Sequence, residues 1–437
     1  MVTISQVRDR IHCLLGAQAD QLARTTHFTQ RESKLTGSAF AQALVLSTLA
    51  HPAVTYPQLC QGALHAGVTI SQQGLEQRFT PQAADFLEQL LEKAVAQVMI
   101  AQHHTLPLFQ RFTGVVIRDS SVISLPDELH SRWPGVGGSA GETAALKLQV
   151  KLDEVSGQVG GPILQSGRVH DQSSPFQGEV LPAGTLRMAD LGFFNLDQFA
   201  ADQKRRVYWF TRFKIGTFLY DEWGQPLDLL AWLGGMRMPQ AEIAVQLGAR
   251  LRLPARLLVQ RVSQEVADQR RHRLKEKARK KQQAVSAEAW ALAAWTLVLT
   301  NVPAELLSLR EAWVMLRVRW QIECLFRVWK DQFQIDAWRS TKPYRILCEL
   351  FAKLIGVVIF QWCVQIQLWA IPDHSLWKAA EILHSFATSL ALTWSDAAAF
   401  DWVLSRIQVS FKQICHLTPR RADPNSYQRL IALAEEP

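Results

Sequence analysis

The chain changes texture at residue 113, and that change limits the folds open to it. Before it, apolar residues recur at three-to-four spacing in Phe40–Leu49 and Phe86–Met99, the period of helices, with breaks at Pro52, Pro57 and Pro81. After it comes Gly114-Val-Val-Ile-Arg-Asp-Ser-Ser-Val-Ile-Ser-Leu125, β-branched and apolar, as a strand covered on both faces requires. Further strands are expected at Leu146–Leu152, where apolar residues alternate, and at 160–169 after a Ser-Gly turn. Thr185–Asp190 and Val207–Tyr220 also read as strands, with a helix over Asn195–Lys204 between them. The fold class is α/β, built on a mixed sheet.

Residues 221–290 form a different block, with strand candidates at Leu227–Trp232, Ile243–Leu247 and Leu257–Val262 followed by a basic run, Arg270–Lys281. Sheet texture returns at 295–302. Beyond Pro303 the pattern is helical, including Glu311–Phe333 and Tyr344–Trp369. With 437 residues, about three domains are expected. The texture gives a helical N-terminal domain (1–105), a core in two pieces (106–220 and 291–370), a β-rich insertion with a basic arm (221–290) and a helical C-terminal region (371–437).

Several classes are excluded. A composition of 48% hydrophobic and 20% charged residues supports a large core rather than a disordered chain. The six cysteines (Cys13, Cys60, Cys324, Cys348, Cys363 and Cys415) include no Cys-x-x-Cys pair, the usage of a reducing cytosol. No secretory leader is read near Cys13–Leu15, and Leu354–Phe360 is too short an apolar run to span a membrane, so a buried helix and a cytoplasmic protein are expected. Gly135–Gly141 lacks the ending of a phosphate-binding loop. There is no zinc helix, adjacent His103 and His104 facing different ways, and no serine-nucleophile elbow.

What remains are carboxylates in costly places. Asp119 lies in or at the end of a buried strand, where charge must be paired or bound to metal; Asp190 ends another and precedes a tight exit, Leu-Gly-Phe-Phe. Each alone is most often a turn residue. On a helix Glu311–Phe333, Arg319, Glu323, Arg327 and Lys330 share one arc of about 80°. That arc borders an apolar stripe of Val318, Ile322, Leu325 and Trp329. A solvated face of weak ion pairs is the ordinary explanation. Three positive charges around one Glu also suit metal and phosphates.

These residues resemble a family. Arg319-Trp-Gln-Ile-Glu323-Cys-Leu-Phe-Arg-Val-Trp-Lys330 is similar to the Tyr-x2-Arg-x3-Glu-x6-Lys signature of insertion-sequence-four (IS-four) transposases, bacterial DDE enzymes with a ribonuclease-H-like core. Val116-Ile-Arg-Asp119-Ser-Ser-Val-Ile-Ser-Leu-Pro and Ala189-Asp190-Leu-Gly-Phe-Phe-Asn-Leu resemble the blocks holding the first and second acids. Leu299–Pro303 and Ile70–Phe79 resemble further stretches, so the likeness covers about residues 20 to 370. The signature's tyrosine falls on Leu316, which cannot hydrogen-bond a phosphate.

The resemblance implies an insertion-sequence transposase in which Asp119, Asp190 and Glu323 are catalytic and hold two Mg2+ ions, with Mn2+ as a substitute. Water would free a 3′-hydroxyl at the transposon end, and that hydroxyl would attack the opposite strand or target DNA. The partners implied are double-stranded DNA, as terminal inverted repeats and target, and a second copy in a synaptic complex; no membrane is involved. Arg319 and Lys330 are candidates for phosphates near the scissile bond, with Arg327 beside them. Ser71 is placed to cap a short helix carrying Gln72, Gln73 and Arg78, solvated when read alone and a candidate for end DNA by the resemblance. The 133-residue separation of Asp190 and Glu323 fits an inserted domain.

In that interval the run 270–281 carries eight basic residues, Arg270, Arg271, Arg273, Lys275, Lys277, Arg279, Lys280 and Lys281, against Glu276 alone. These leave +7 of the chain's net +8 in one arm that can track phosphates. Two other classes stay open: a two-metal nuclease that cuts without joining, and a non-catalytic DNA-binding inhibitor or domesticated derivative.

Overall fold

The computed structural model describes residues 2–97, 99, 106–137, 143–371, 373–420 and 423–435. His103, His104 and residues 138–141 of the glycine-rich segment lie outside them. The strands among the described residues are β1 (Val115–Leu125), β2 (Ala144–Asp153), β3 (Val159–Ser166), β4 (Leu186–Ala189), β5 (Tyr208–Arg212), β6 (Leu219–Tyr220), β7 (Gln240–Leu247), β8 (Leu253–Arg261) and β9 (Trp295–Thr300). The mixed α/β class expected from the sequence is observed. Contacts divide the chain into two compact units, and β1 runs through their boundary. One unit comprises Met1–Gln110, Asp119–Val169 and Trp320–Pro437; the other comprises Arg111–Arg118 and His170–Arg319.

The first unit holds the sheet order β3-β2-β1. β2 and β3 pair antiparallel with an irregular register between Gln149 and Lys151. Gly157 closes their turn at φ +66, and a Cβ there would meet the Trp369 ring at 2.3 Å, so only glycine fits. Around the hairpin pack helices whose starts are legible as caps: Thr80 accepts from Ala83 N at 3.2 Å, and Ser71 from Gly74 N at 3.1 Å. Residues Pro343–Ile366 of the helix Pro343–Gln367 are long and apolar enough to cross a membrane, yet their most apolar stretch is wholly buried in the fold. The helix is the core of this unit. Even its charges are covered: Lys353 Nζ lies 2.9 Å from Glu349 and donates to Gln334 O (3.1 Å) and Ala337 O (2.6 Å). Arg345 stacks on Tyr56 and Phe79.

The second unit holds the order β1-β4-β5-β9-β8-β7-β6. β1, β4 and β5 run parallel, while β9, β8, β7 and β6 pair antiparallel. Its core packs Trp209, Leu247, Leu257, Val259 and Leu299 against Leu233 and Phe199. β7 and β8, from the 221–290 block, lie in the same unit as β4, β5 and β9.

Three expectations are corrected. Leu227–Trp232 is not a strand: residues Leu229–Gly235 form a helix, because Asp228 caps it by accepting from Ala231 N at 3.0 Å. Val207–Tyr220 is two strands, β5 and β6, parted by a turn that uses Gly216 at φ +86. The helix Glu311–Phe333 is two helices, Leu309–Val318 and Gln321–Asp331. Arg319 (φ −50, ψ −28) and Trp320 (φ −67, ψ −12) between them stay right-handed, and the segment has no Gly or Pro. Each piece buries its own apolar face.

Candidate active site

β1 and β4 position the first two acids. Their parallel register runs Val115↔Leu186, Val116↔Arg187, Ile117↔Met188 and Arg118↔Ala189. The residue that follows each member of the last pair is Asp119 on one strand and Asp190 on the other. Strand alternation sends Arg118 and Asp119 to opposite faces. Arg118 is 1% exposed, whereas Asp119 is half-buried and accepts from Ser120 N at 2.8 Å. Asp190 is exposed, and its backbone carbonyl accepts from Phe193 N at 3.0 Å in the turn Leu191–Phe193.

Glu323 sits in the first turn of the helix Gln321–Asp331, which buries Ile322, Leu325, Phe326, Val328 and Trp329. Glu323 and Lys330 are half-buried and Arg327 is exposed. The helix therefore presents Glu323, Arg327 and Lys330 along one border of its buried face, as the sequence reading expected. Arg319 does not share that helix; it is buried in the break before it. Leu316, at the signature's tyrosine position, is half-buried on the preceding helix.

The three acids are all hard oxygen donors with solvent access, the chemistry that Mg2+ prefers over the nitrogen and sulfur sets of zinc. Among the described residues, no three His, Cys, Asp or Glu side chains are grouped closely enough to hold one ion.

Sequence reasoning missed a buried charge cluster in the second unit. Arg187 Nε lies 2.7 Å from Asp202 Oδ2, and its Nη2 donates to Asp202 Oδ1 at 3.0 Å and to Glu179 O at 2.9 Å. Arg118 Nη1 donates to Phe176 O, and its guanidinium lies 5.6 Å from the centroid of the Phe193 ring. Burial, with Arg187 nearby, pulls the Arg118 guanidinium down to about 9. The signal was present: two arginines inside strands that are otherwise apolar.

The basic run folds as the helix Gln264–Lys280, capped by Ser263. Its residues divide. Arg270 turns inward, donating to Trp295 O at 2.8 Å and Thr296 Oγ1 at 3.0 Å. Arg271 and Lys275 lie over the Trp290 ring, at 5.3 and 4.9 Å. Arg273, Lys277, Arg279, Lys280 and Lys281 are exposed. At the other candidate surface, in the first unit, Gln72 and Gln73 are exposed and Arg78 is half-buried.

Residues 110–359 match the family described as Transposase DDE domain. The transposase for insertion sequence element IS231F of Bacillus thuringiensis subsp. israelensis is 27% identical over 363 residues, covering 78% of this chain and 76% of that protein. The transposase for IS231E of Bacillus thuringiensis subsp. finitimus is 27% identical over 367 residues (78% and 75%). That for IS1151 of Clostridium perfringens is 23% identical over 370 residues (78% and 76%). With more than half of its length matched, the chain belongs to the DDE transposase family, enzymes that break and rejoin the phosphodiester bonds of DNA.

Proposed function

We propose that this transposase mobilises an insertion sequence by cut-and-paste, with Asp119, Asp190 and Glu323 as the acids that hold two Mg2+ ions. The observation that carries the reading is the register of β1 and β4, in which each aspartate follows a member of the last pair on adjacent parallel strands. A ribonuclease-H-like core is supported by the orders β3-β2-β1 and β1-β4-β5, with β1, β4 and β5 parallel. When bound, the ions supply Lewis-acid charge at the attacking and leaving oxygens of an in-line displacement.

The chain's own groups do the rest. Arg319, Arg327 and Lys330 neutralise phosphates beside the scissile bond and fix the backbone for attack. Arg273, Lys277, Arg279, Lys280 and Lys281 track phosphates farther along the duplex. Gln72, Gln73 and Arg78 contact the terminal repeat. A homodimer, each copy holding one transposon end, acts in the cytoplasm on nucleoid DNA.

A strand-transfer assay with Mg2+ and end DNA tests the reading: joined products support it, nicks alone indicate a nuclease, and shifted but uncut DNA a binder. Asp119→Asn, Asp190→Asn and Glu323→Gln each lower cleavage by at least about 10³-fold and leave end binding unchanged. Full cleavage by any of the three removes that residue from the site.

A further inference from the structure

Arg118 has no place in the reading above, and its setting is unusual. It is a buried cation on a central strand, with Arg187 nearby, and Arg187 already has Asp202 as its bidentate partner. Among the described residues its Nε makes no hydrogen bond. A guanidinium held this way is costly, and an apolar side chain of similar length is often neutral or stabilising in its place. Asp202 and Glu179 offset part of that cost, but packing alone does not call for a cation at this position.

Its contacts lead elsewhere. The guanidinium lies against Phe193, which is 2% exposed and ends the three-residue turn beginning at Leu191. Phe193 N donates to Asp190 O at 3.0 Å, and Phe193 O accepts from Gln177 Nε2 at 3.4 Å. Arg118 Nη1 also donates to Phe176 O, next to that glutamine. One side chain on β1 thus clamps both the turn that Asp190 opens and the loop packed beneath it. Asp190 follows β4's short stretch, Leu186–Ala189, and the turn it opens is also held by Gln172 Nε2, which donates to Phe194 O at 3.2 Å, so Arg118 is one of several supports on that turn.

We propose that Arg118 is a positioning residue that fixes Asp190 through the Phe193 ring. The inference rests on Asp190 being a metal ligand. Groups that orient a ligand from outside the coordination shell typically account for 10–100-fold in metal affinity.

The test is Arg118→Met, with Phe193→Leu as a second variant that keeps the buried charge and removes the ring. For Arg118→Met the expectation is an unchanged or higher melting temperature together with a rise of about tenfold or more in the Mg2+ concentration giving half-maximal end cleavage. Terbium(III) luminescence, titrated on the DNA-free protein, shows the same weakening without any turnover. Phe193→Leu shifts both readouts the same way by less. If either variant folds and keeps the wild-type Mg2+ and terbium(III) dependence, the strut is overturned. If Arg118→Met does not fold, Phe193→Leu decides alone. Asp190→Ala separates this from failure of the underlying reading: cleavage that survives in Asp190→Ala overturns the ligand assignment, and the strut with it.

Discussion

The helices Gln264–Lys280 and Gln321–Asp331 both carry rows of positive charge, and they hold them in opposite ways. The first buries a single residue, Ala267, and most of its cations stand in solvent. The second buries five, so Glu323, Arg327 and Lys330 ride on a helix fixed by its own core. A side chain on a solvated helix can follow a phosphate wherever it lies, which gives affinity but little geometry. One on a packed helix cannot move far, which suits in-line chemistry, where small misplacements are costly. On the proposed function, the first helix would grip DNA and the second would hold the groups used in cutting it.

The largest effect that tests the contrast is on stability. Trp329→Ala, at a fully buried position, costs ~3–5 kcal/mol by urea denaturation, whereas Leu274→Ala on the basic helix costs less than ~1 kcal/mol. Equal costs would break the comparison. Next comes binding. Changing Arg273, Lys277, Arg279, Lys280 and Lys281 together to Gln weakens end binding. It also lowers the log–log salt slope by ~0.9 for each residue that meets a phosphate, with the cleavage rate at saturating DNA unchanged. A large fall in that rate would mean the arm takes part in chemistry.

The smallest effect concerns the surroundings of the packed helix. Glu154 is 0% exposed; its Oε2 accepts from Tyr427 Oη at 3.2 Å, and burial pushes its carboxyl up to about 8. The same unit's Cys324, beside Glu323, is also raised by burial, with Arg327 opposing and Glu323 and Glu154 adding. Because Glu154 is a stronger proton binder in the folded chain, its contribution is fully present below the unfolded value of 4.5. It is lost as pH rises from 4.5 through about 8. Glu154→Gln flattens the fall of stability over that window, measured by denaturant titration at several pH values. An unchanged slope would show that this side of the helix is wet.

Much of this was legible in the chain. β1 announced itself as an apolar β-branched run and β4 as a short strand ending at Asp190, and the two aspartates drew notice by their places at strand ends rather than singly by their type. The helix Leu229–Gly235 reads as a strand in the sequence, because its leucines and tryptophan fit either period, although Asp228 before the apolar run and Gly234-Gly235 at its end are helix signals. The break at Arg319 was not legible, since nothing local marks it: the segment has no Gly or Pro and the dihedrals stay right-handed. Nor was the inward turn of Arg270, because a row of like residues gives no sign of which one finds a backbone carbonyl.

Arg118 and Asp119 also make β1 a ruler for register against β4. They are neighbours of opposite sign on opposite faces, so a one-residue slip against β4 would carry the cation outward and the acid inward. Length drift is cheap in the turn near Gly216. Between Phe112 and Arg118, one inserted or deleted residue inverts the polarity of the strand. A single-residue gap there therefore costs more than the same gap in a loop, because it exchanges the buried and exposed faces of the strand.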